Sequence, residues 1–480
     1  MTRTLVTRRR SEIDTKLASL DREFEHWKAV TEQPDRGLRR HHSQVRRLTA
    51  TIDGLLDDLR KTLAGLPKDS PTVLKDGESW ENEILAAHSI WEVFRSKLVL
   101  REDDLFRTAL AACDDLAWEC YAPALKRFDP ERKGPPLVFL TATWSPFALA
   151  RDSNFQNEIR VRRGPAGALA EQPFQEVLGR LPVPLVGVPW YQAVQLPSAL
   201  IIAHETGHVV EFDFRLTADI TEALEAAGLD HPDVWKEWAS EVFADIYGCL
   251  AMGPAFAGTM SDLLTTAQEV VQKEERRFGA YPTRALRVEL MVKTLELTGH
   301  GEGSKRVRSD WESIYGAMQT MLEFQSDVER VVKALLAGPY SGRVATGSET
   351  RLLEQGVALT TIISFPVDQD VTIKTIAETA ALKQSLTGYD DPRLLFAAAQ
   401  WLHANPEGGE SPEAYAALTK QIVQKGANQF RSRGAVVGEK TDLENDLRPQ
   451  EAKDRKAGSE LRDFLRTVSE VKPASEGPQP

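Results

Sequence analysis

The sequence predicts an α+β fold, predominantly helical, in which a small sheet is flanked by helical regions on both sides. Apolar residues recur at helical spacing through most of the chain, and a period near 3.6 marks helices with one buried face. Short β-rich runs bounded by prolines cluster between about residues 135 and 190. A length of 480 residues with 42% hydrophobic residues is ordinary for a soluble globular chain of roughly two or three domains.

Residues 1–133 read as an N-terminal helical bundle or hairpin. Leu17, Leu20, Phe24 and Trp27 recur at helical spacing, as do Leu55, Leu56, Leu59 and Leu63, with breaks near Pro34, at Leu66-Pro67 and at Pro71. A third helix carries Trp80, Ile84, His88 and Trp91, and a fourth Leu105, Leu110, Trp118 and Tyr121. Arginines are dense from Arg8-Arg9-Arg10 to Arg46-Arg47, but Glu12, Asp14, Asp21 and Glu23 are interspersed. Mixed charge of this kind is a solvated helix face, so nucleic acid is not an expected partner of a chain whose net charge is −12.

Residues 134–337 carry the chemistry. Pro136-Leu137-Val138-Phe139-Leu140 reads as a strand and Asn157–Val161 as a weaker one; Val183-Pro184-Leu185-Val186-Gly187-Val188-Pro189-Trp190 reads as a third, confined by its prolines to a sheet edge. Pro197 and Ser198 then open a helix containing His204-Glu205-Thr206-Gly207-His208, an HExxH motif. Residues four apart share a helix face, so His204 and His208 can present two imidazole nitrogens to one metal ion. Glu205 lies one step round, where a carboxylate reaches a water without being a ligand. Leu200, Ile201 and Ile202 before the motif and Val209 and Val210 after it make the helix apolar all round, hence buried. Two imidazoles and a glutamate buried together without a metal would need other partners, at a cost.

A catalytic zinc site takes three protein ligands and keeps one position open. Directly after the motif the chain runs Val209-Val210-Glu211-Phe212-Asp213-Phe214, without a further histidine. A helix predicted from Asp230, with Pro232 in its first turn, to the stop at Gly253-Pro254 places Val234, Trp238, Glu241, Asp245, Cys249 and Met252 on one stripe. Glu241 is the candidate third ligand, and Asp245 the carboxylate that accepts the outer N–H of a ligating histidine. Glu237, Glu211 and Asp213 are rival ligands, and an ion pair with an arginine is the metal-free use of Glu241.

HExxH followed by a helix bearing Glu241-Val242-Phe243-Ala244-Asp245 resembles the gluzincin-type zinc metallopeptidases, the thermolysin-like superfamily, over about residues 180–290. The resemblance implies a zincin-like catalytic core: a small sheet, two metal helices and a cleft. It implies Zn2+, one per chain, held by His204, His208 and Glu241, with Glu205 as general base of peptide hydrolysis and Asp245 behind a ligand. Gluzincins hold a peptide along a sheet edge, which nominates Gly187 and Val188 for substrate binding. Some gluzincins carry His-Pro and then an arginine where this chain has Tyr281-Pro282 and, further on, Arg287. Tyr281, with Arg287 as partner, is thus the candidate donor to an oxyanion, ahead of Tyr247 and His300. The expected partner is a peptide or protein substrate, cleaved with narrow specificity. The alternative is a catalytically inactive, zinc-stabilised scaffold that binds a protein partner through its helical regions, and a zinc hydrolase of non-peptide substrates is a third reading.

After a helical stretch from Trp311 to Leu336, a Gly/Ser-rich break at 338–347 precedes a C-terminal helical region, residues 348–437. Residues 438–480 are charged and poor in apolar side chains, and a mobile tail is expected. No stretch approaches the roughly 20 apolar residues of a membrane span, so no membrane partner is expected. Met1 to Arg10 is basic but lacks the apolar core of a secretory signal. Three cysteines, Cys113, Cys120 and Cys249, an odd count without such a signal, lead to the expectation of a reducing, cytoplasmic location and exclude a cysteine-based zinc site.

Overall fold

A computed structural model of the chain describes residues 4–33, 37–128, 135–142, 147–149, 182–191, 195–274, 281–316, 322–346, 349–352, 356–432 and 440–470. It is predominantly helical with a small sheet. The chain divides into two compact units, one of Met1–Asp103, Arg151–Val183 and Gln429–Pro480, the other of Asp104–Ala150 and Pro184–Asn428. The expected Asn157–Val161 strand, residues 438–439 and residues 471–480 lie outside the described residues.

The first unit contains α1 (Leu5–Glu32), α2 (His42–Gly65), α3 (Thr72–Val99) and a C-terminal helix, Lys440–Glu470. The apolar face of α1 buries Ile13, Leu17, Leu20 and Phe24, and Phe24 meets Trp91 of α3 edge-on, with ring centroids 5.3 Å apart. Where the sequence leads to a mobile tail, residues 440–470 form a helix that pairs four of its charged residues with α2. Arg46 pairs with Glu451, Arg47 with Asp454 at 3.0 Å, Arg455 with Asp57 at 2.5 Å and Arg462 with Asp58 at 2.5 Å. Both sequences ascend together, so the two helices run parallel. They approach closely at two glycines: a Cβ on Gly54 would strike the backbone of Arg455, and one on Gly458 the backbone of Thr51.

The second unit opens with α4 (Asp104–Phe128), which moves the expected boundary at residue 133 back to 103. Its apolar face reaches the motif helix: Tyr121 donates to Asp213 Oδ2 at 2.6 Å and stacks on Phe214. The sheet has the order β1-β3-β2, with β1 (Leu137–Thr141) parallel to β3 (Leu185–Pro189) and β2 (Phe147–Leu149) antiparallel to it. The edge assignment of the 183–190 run is therefore corrected, since β3 is the central strand. Pro184 precedes it and Pro189 ends it, so the missing N–H groups fall at the strand's ends and the ladder between them is intact. Gly187 is paired on both sides, with Phe139 and Phe147, and Val188 is paired with Leu140. Gly187 therefore does not offer the open edge that the β-augmentation reading requires.

A 3-10 turn, Ser198–Ile201, leads into α5 (Ile202–Asp213), followed by α6 (Thr217–Ala226), α7 (Pro232–Glu237) and α8 (Ala239–Met252). The single helix expected from Asp230 to Gly253 is thus two, broken at Trp238. Then come α9 (Pro254–Leu264), α10 (Gln268–Gln272), α11 (Arg284–Leu297), α12 (Gly301–Tyr315), α13 (Leu322–Ala337), a hairpin of β4 (Arg343–Thr346) and β5 (Glu349–Leu352), α14 (Leu359–Ile362), α15 (Asp370–Ala381), α16 (Pro392–Ala404) and α17 (Pro412–Ser432). One continuous core runs from Leu116 of α4 through the motif helix to Leu402 and Ile422. The C-terminal helical region is therefore part of this unit through residue 428 rather than a separate domain. No helix among the described residues is long and apolar enough to cross a membrane.

Candidate metal centre

The site is built where α5 and α8 cross. Both helices are apolar nearly all round, with Ala203, Val209 and Val210 of α5 and Val242, Phe243 and Ile246 of α8 at most 1% exposed. Gly207 lets them approach: a Cβ there would sit 3.0 Å from Ala244 Cα and 3.2 Å from Tyr247 Cβ. Helices held this close bring side chains from each into a common focus. His204, His208 and Glu241 offer ligand atoms that all lie within 4.8 Å of one another, a group that could hold a metal ion. His204 Nε2 and His208 Nε2 are 3.2 Å apart, and Glu241 Oε2 and Oε1 stand 3.3 and 3.4 Å from them respectively.

Behind each imidazole stands a further polar group. His204 Nδ1 is 2.9 Å from Asp245 Oδ1, and Asp245 accepts from Arg287 Nε and Nη2, each at 2.8 Å. His208 Nδ1 is 3.1 Å from Ser240 Oγ, which donates to Glu211 Oε2 at 2.5 Å. Of the groups behind the two imidazoles, the sequence nominates Asp245 for that place and not Arg287, Ser240 or Glu211. Arg287, assigned to substrate, is instead committed to a buried fork with Asp245 and stands 3.7 Å from Glu241 Oε2. Glu211, weighed as a rival ligand, faces Ser240 and Thr217. Asp213 is taken by Tyr121, and Glu237 is exposed. Tyr247 is buried and donates to Cys120 O at 2.6 Å, and His300 sits against Phe365, so neither serves as an oxyanion donor here. Tyr281 is 48% exposed and near enough to Arg287 to act on its charge.

The donor set agrees with a cation. Glu241 Oε2 is buried without a well-formed hydrogen bond, and the groups that face it are cationic or basic: His204 Nε2 at 3.3 Å and Arg287 Nη2 at 3.7 Å. Glu205, Glu211, Glu241 and Asp245 are four carboxyl groups in or behind the cluster, and among the described residues a single guanidinium, Arg287, opposes them. The local field shows in the titrations. Burial alone would lower both imidazoles, yet the bonds and charges of Asp245 and Glu241 raise His204, and those of Glu211 and Glu241 raise His208 to about 10. Burial would raise Glu241, but the two imidazoles hold it far below the usual carboxylate range. A potential that keeps protons on two buried imidazoles is one that a dication can occupy in their place.

Glu205 is 5% exposed. Burial pushes its carboxyl up, partly offset by the two imidazoles, and it makes no hydrogen bond or ion pair among the described residues. A buried carboxyl beside the cluster with nothing bonded to it is available to a proton in transit. Comparison with family models, curated proteins and solved structures finds no match to the chain.

Proposed function

We propose that this chain is a zinc-dependent metallopeptidase of the gluzincin type, with His204, His208 and Glu241 as ligands and Glu205 as general base. The observation that carries the reading is the focus of two Nε2 atoms and a carboxylate within 4.8 Å of one another, beside the buried carboxyl group of Glu205. Two imidazoles and one carboxylate leave a fourth position open, the donor set of a catalytic rather than a structural zinc. Bound there, zinc supplies Lewis-acid chemistry, polarising a carbonyl and bringing the pKa of water toward neutrality. The chain's own groups do the remainder. Glu205 takes the proton of the attacking water on its carboxylate and returns it to the leaving amine nitrogen, a cycle aided by a carboxyl pKa that burial raises toward the working pH. Asp245 orients His204, and Arg287 neutralises Asp245 so that its charge is tolerated in the core. Tyr281, at the exposed end of the α11 segment, is the remaining donor for the oxyanion.

Substrate alignment moves from β3 to β2. The motif helix packs on β2 as well as β3, and β2 has no second neighbour strand among the described residues. We propose that an extended peptide pairs with β2, beside α5. The test is cleavage of a peptide library by the zinc-loaded protein, with Glu205→Gln alongside. Glu205→Gln is expected to keep its zinc and lose at least about 100-fold in turnover, the scale of a general base. A wild-type protein that binds zinc and cleaves nothing would favour the inert scaffold, and equal turnover in the variant would remove Glu205 from the mechanism.

A further inference from the structure

The two histidines are held in unlike ways. His204 faces a carboxylate whose charge is shared with a guanidinium. His208 faces a hydroxyl, and the hydrogens there can be assigned. Ser240 Oγ lies 2.5 Å from Glu211 Oε2 and 3.1 Å from His208 Nδ1. A serine hydroxyl has one hydrogen, and an ionised carboxylate has only acceptors. The hydrogen of Ser240 therefore goes to Glu211, and the lone pairs of Ser240 are left to accept from His208 Nδ1–H. Glu211 is 1% exposed, and its other oxygen accepts from Thr217 Oγ1 at 2.9 Å. Every group in the chain Thr217, Glu211, Ser240, His208 then has a partner, with Nε2 at its end, where a metal ion would take the place of a proton.

We propose that Ser240 and Glu211, anchored by Thr217, are positioning residues that fix His208 in its Nδ1–H form and aim Nε2 at the cluster. The inference rests on reading the cluster as a metal site. The relay ties the site together mechanically as well. Glu211 lies on α5 one turn beyond His208, and Ser240 precedes Glu241 on α8. The bond between them therefore locks the register of the two helices at the point where each contributes a ligand. Without the Ser240 hydroxyl, His208 Nδ1 and Glu211 Oε2 would face each other across 4.0 Å with no group bridging them, and the ring would be held more loosely.

The experiment uses the full chain and zinc alone. Zinc affinity is measured by competition with a chromophoric chelator for wild type, Ser240→Ala, Ser240→Thr and Glu211→Gln, with circular dichroism to verify folding. Imidazole nitrogen NMR of the zinc-loaded proteins reports which nitrogen of His208 carries the proton. Ser240→Ala and Glu211→Gln are expected to bind zinc about 10–100-fold more weakly, as loss of a ligand's outer partner does. Ser240→Thr, which keeps the hydroxyl, should bind like wild type with an Nδ1–H signal retained. Wild-type affinity in folded Ser240→Ala, or a His208 that carries its proton on Nε2, overturns the relay and leaves the metal site standing. A wild type that takes up no zinc overturns the metal reading and the relay together.

Discussion

At the scale of single residues, the pair Asp245–Arg287 decides how the site tolerates its charge. Asp245 is 1% exposed, and two guanidinium bonds hold its carboxyl below the usual range against the burial that would raise it. Removing one partner of such a pair leaves an uncompensated charge in the core, at a cost of about 3–5 kcal/mol. Arg287→Met is therefore expected to destabilise the second unit by that amount in urea unfolding and to weaken zinc binding. A loss under about 1 kcal/mol, the range of an exposed pair, would mean that Asp245 is already neutralised from elsewhere. The sequence makes part of this legible. Helical spacing puts His204 and His208 on one face and Glu241 and Asp245 on another, and the structure brings the four together. The places that Arg287, Ser240 and Glu211 take behind the cluster are not legible, because they depend on which helix packs against which. Ser240 and Arg287 are ordinary polar residues until α5, α8 and α11 are placed.

At the scale of elements, the strongly periodic helices were readable and their partners were not. Trp80, Ile84 and Trp91 are buried on α3 as their spacing predicts, whereas prolines at the ends of β3 were mistaken for prolines that exclude a strand from the sheet's centre. The C-terminal helix failed for a related reason. A run with few apolar residues reads as solvated unless complementary charges wait on another segment, and these lie about 400 residues away on α2. Its docking is expected to depend on pH. Asp57 is lowered chiefly by its bond from Arg455, and Asp58 by its bond from Arg462. Depressed carboxylates contribute stability that is present above their unfolded pKa of about 4 and is lost as the pH falls through the folded value. Hydrogen exchange, corrected for intrinsic rates, should show amides around Arg455 and Arg462 protected at neutral pH and released as the pH falls below the ordinary carboxylate range. Protection unchanged at low pH would assign the docking to the Gly54–Gly458 approach instead.

At the scale of the whole molecule, the chain builds two units from interleaved stretches, which hydropathy cannot reveal. The boundary near residue 133 was placed at the proline-rich composition change, but α4 follows its packing on the motif helix rather than its neighbours in sequence. All the groups that matter to the chemistry fall in the second unit, so metal binding should be read there. The most direct test is the zinc content of the purified full chain by elemental analysis, with Glu241→Ala measured alongside. The metal-centre account predicts about one zinc per chain in the wild type, as for a three-ligand site, and much less in the variant. A wild-type chain that holds no zinc after reconstitution, or a Glu241→Ala chain that holds as much, would contradict it.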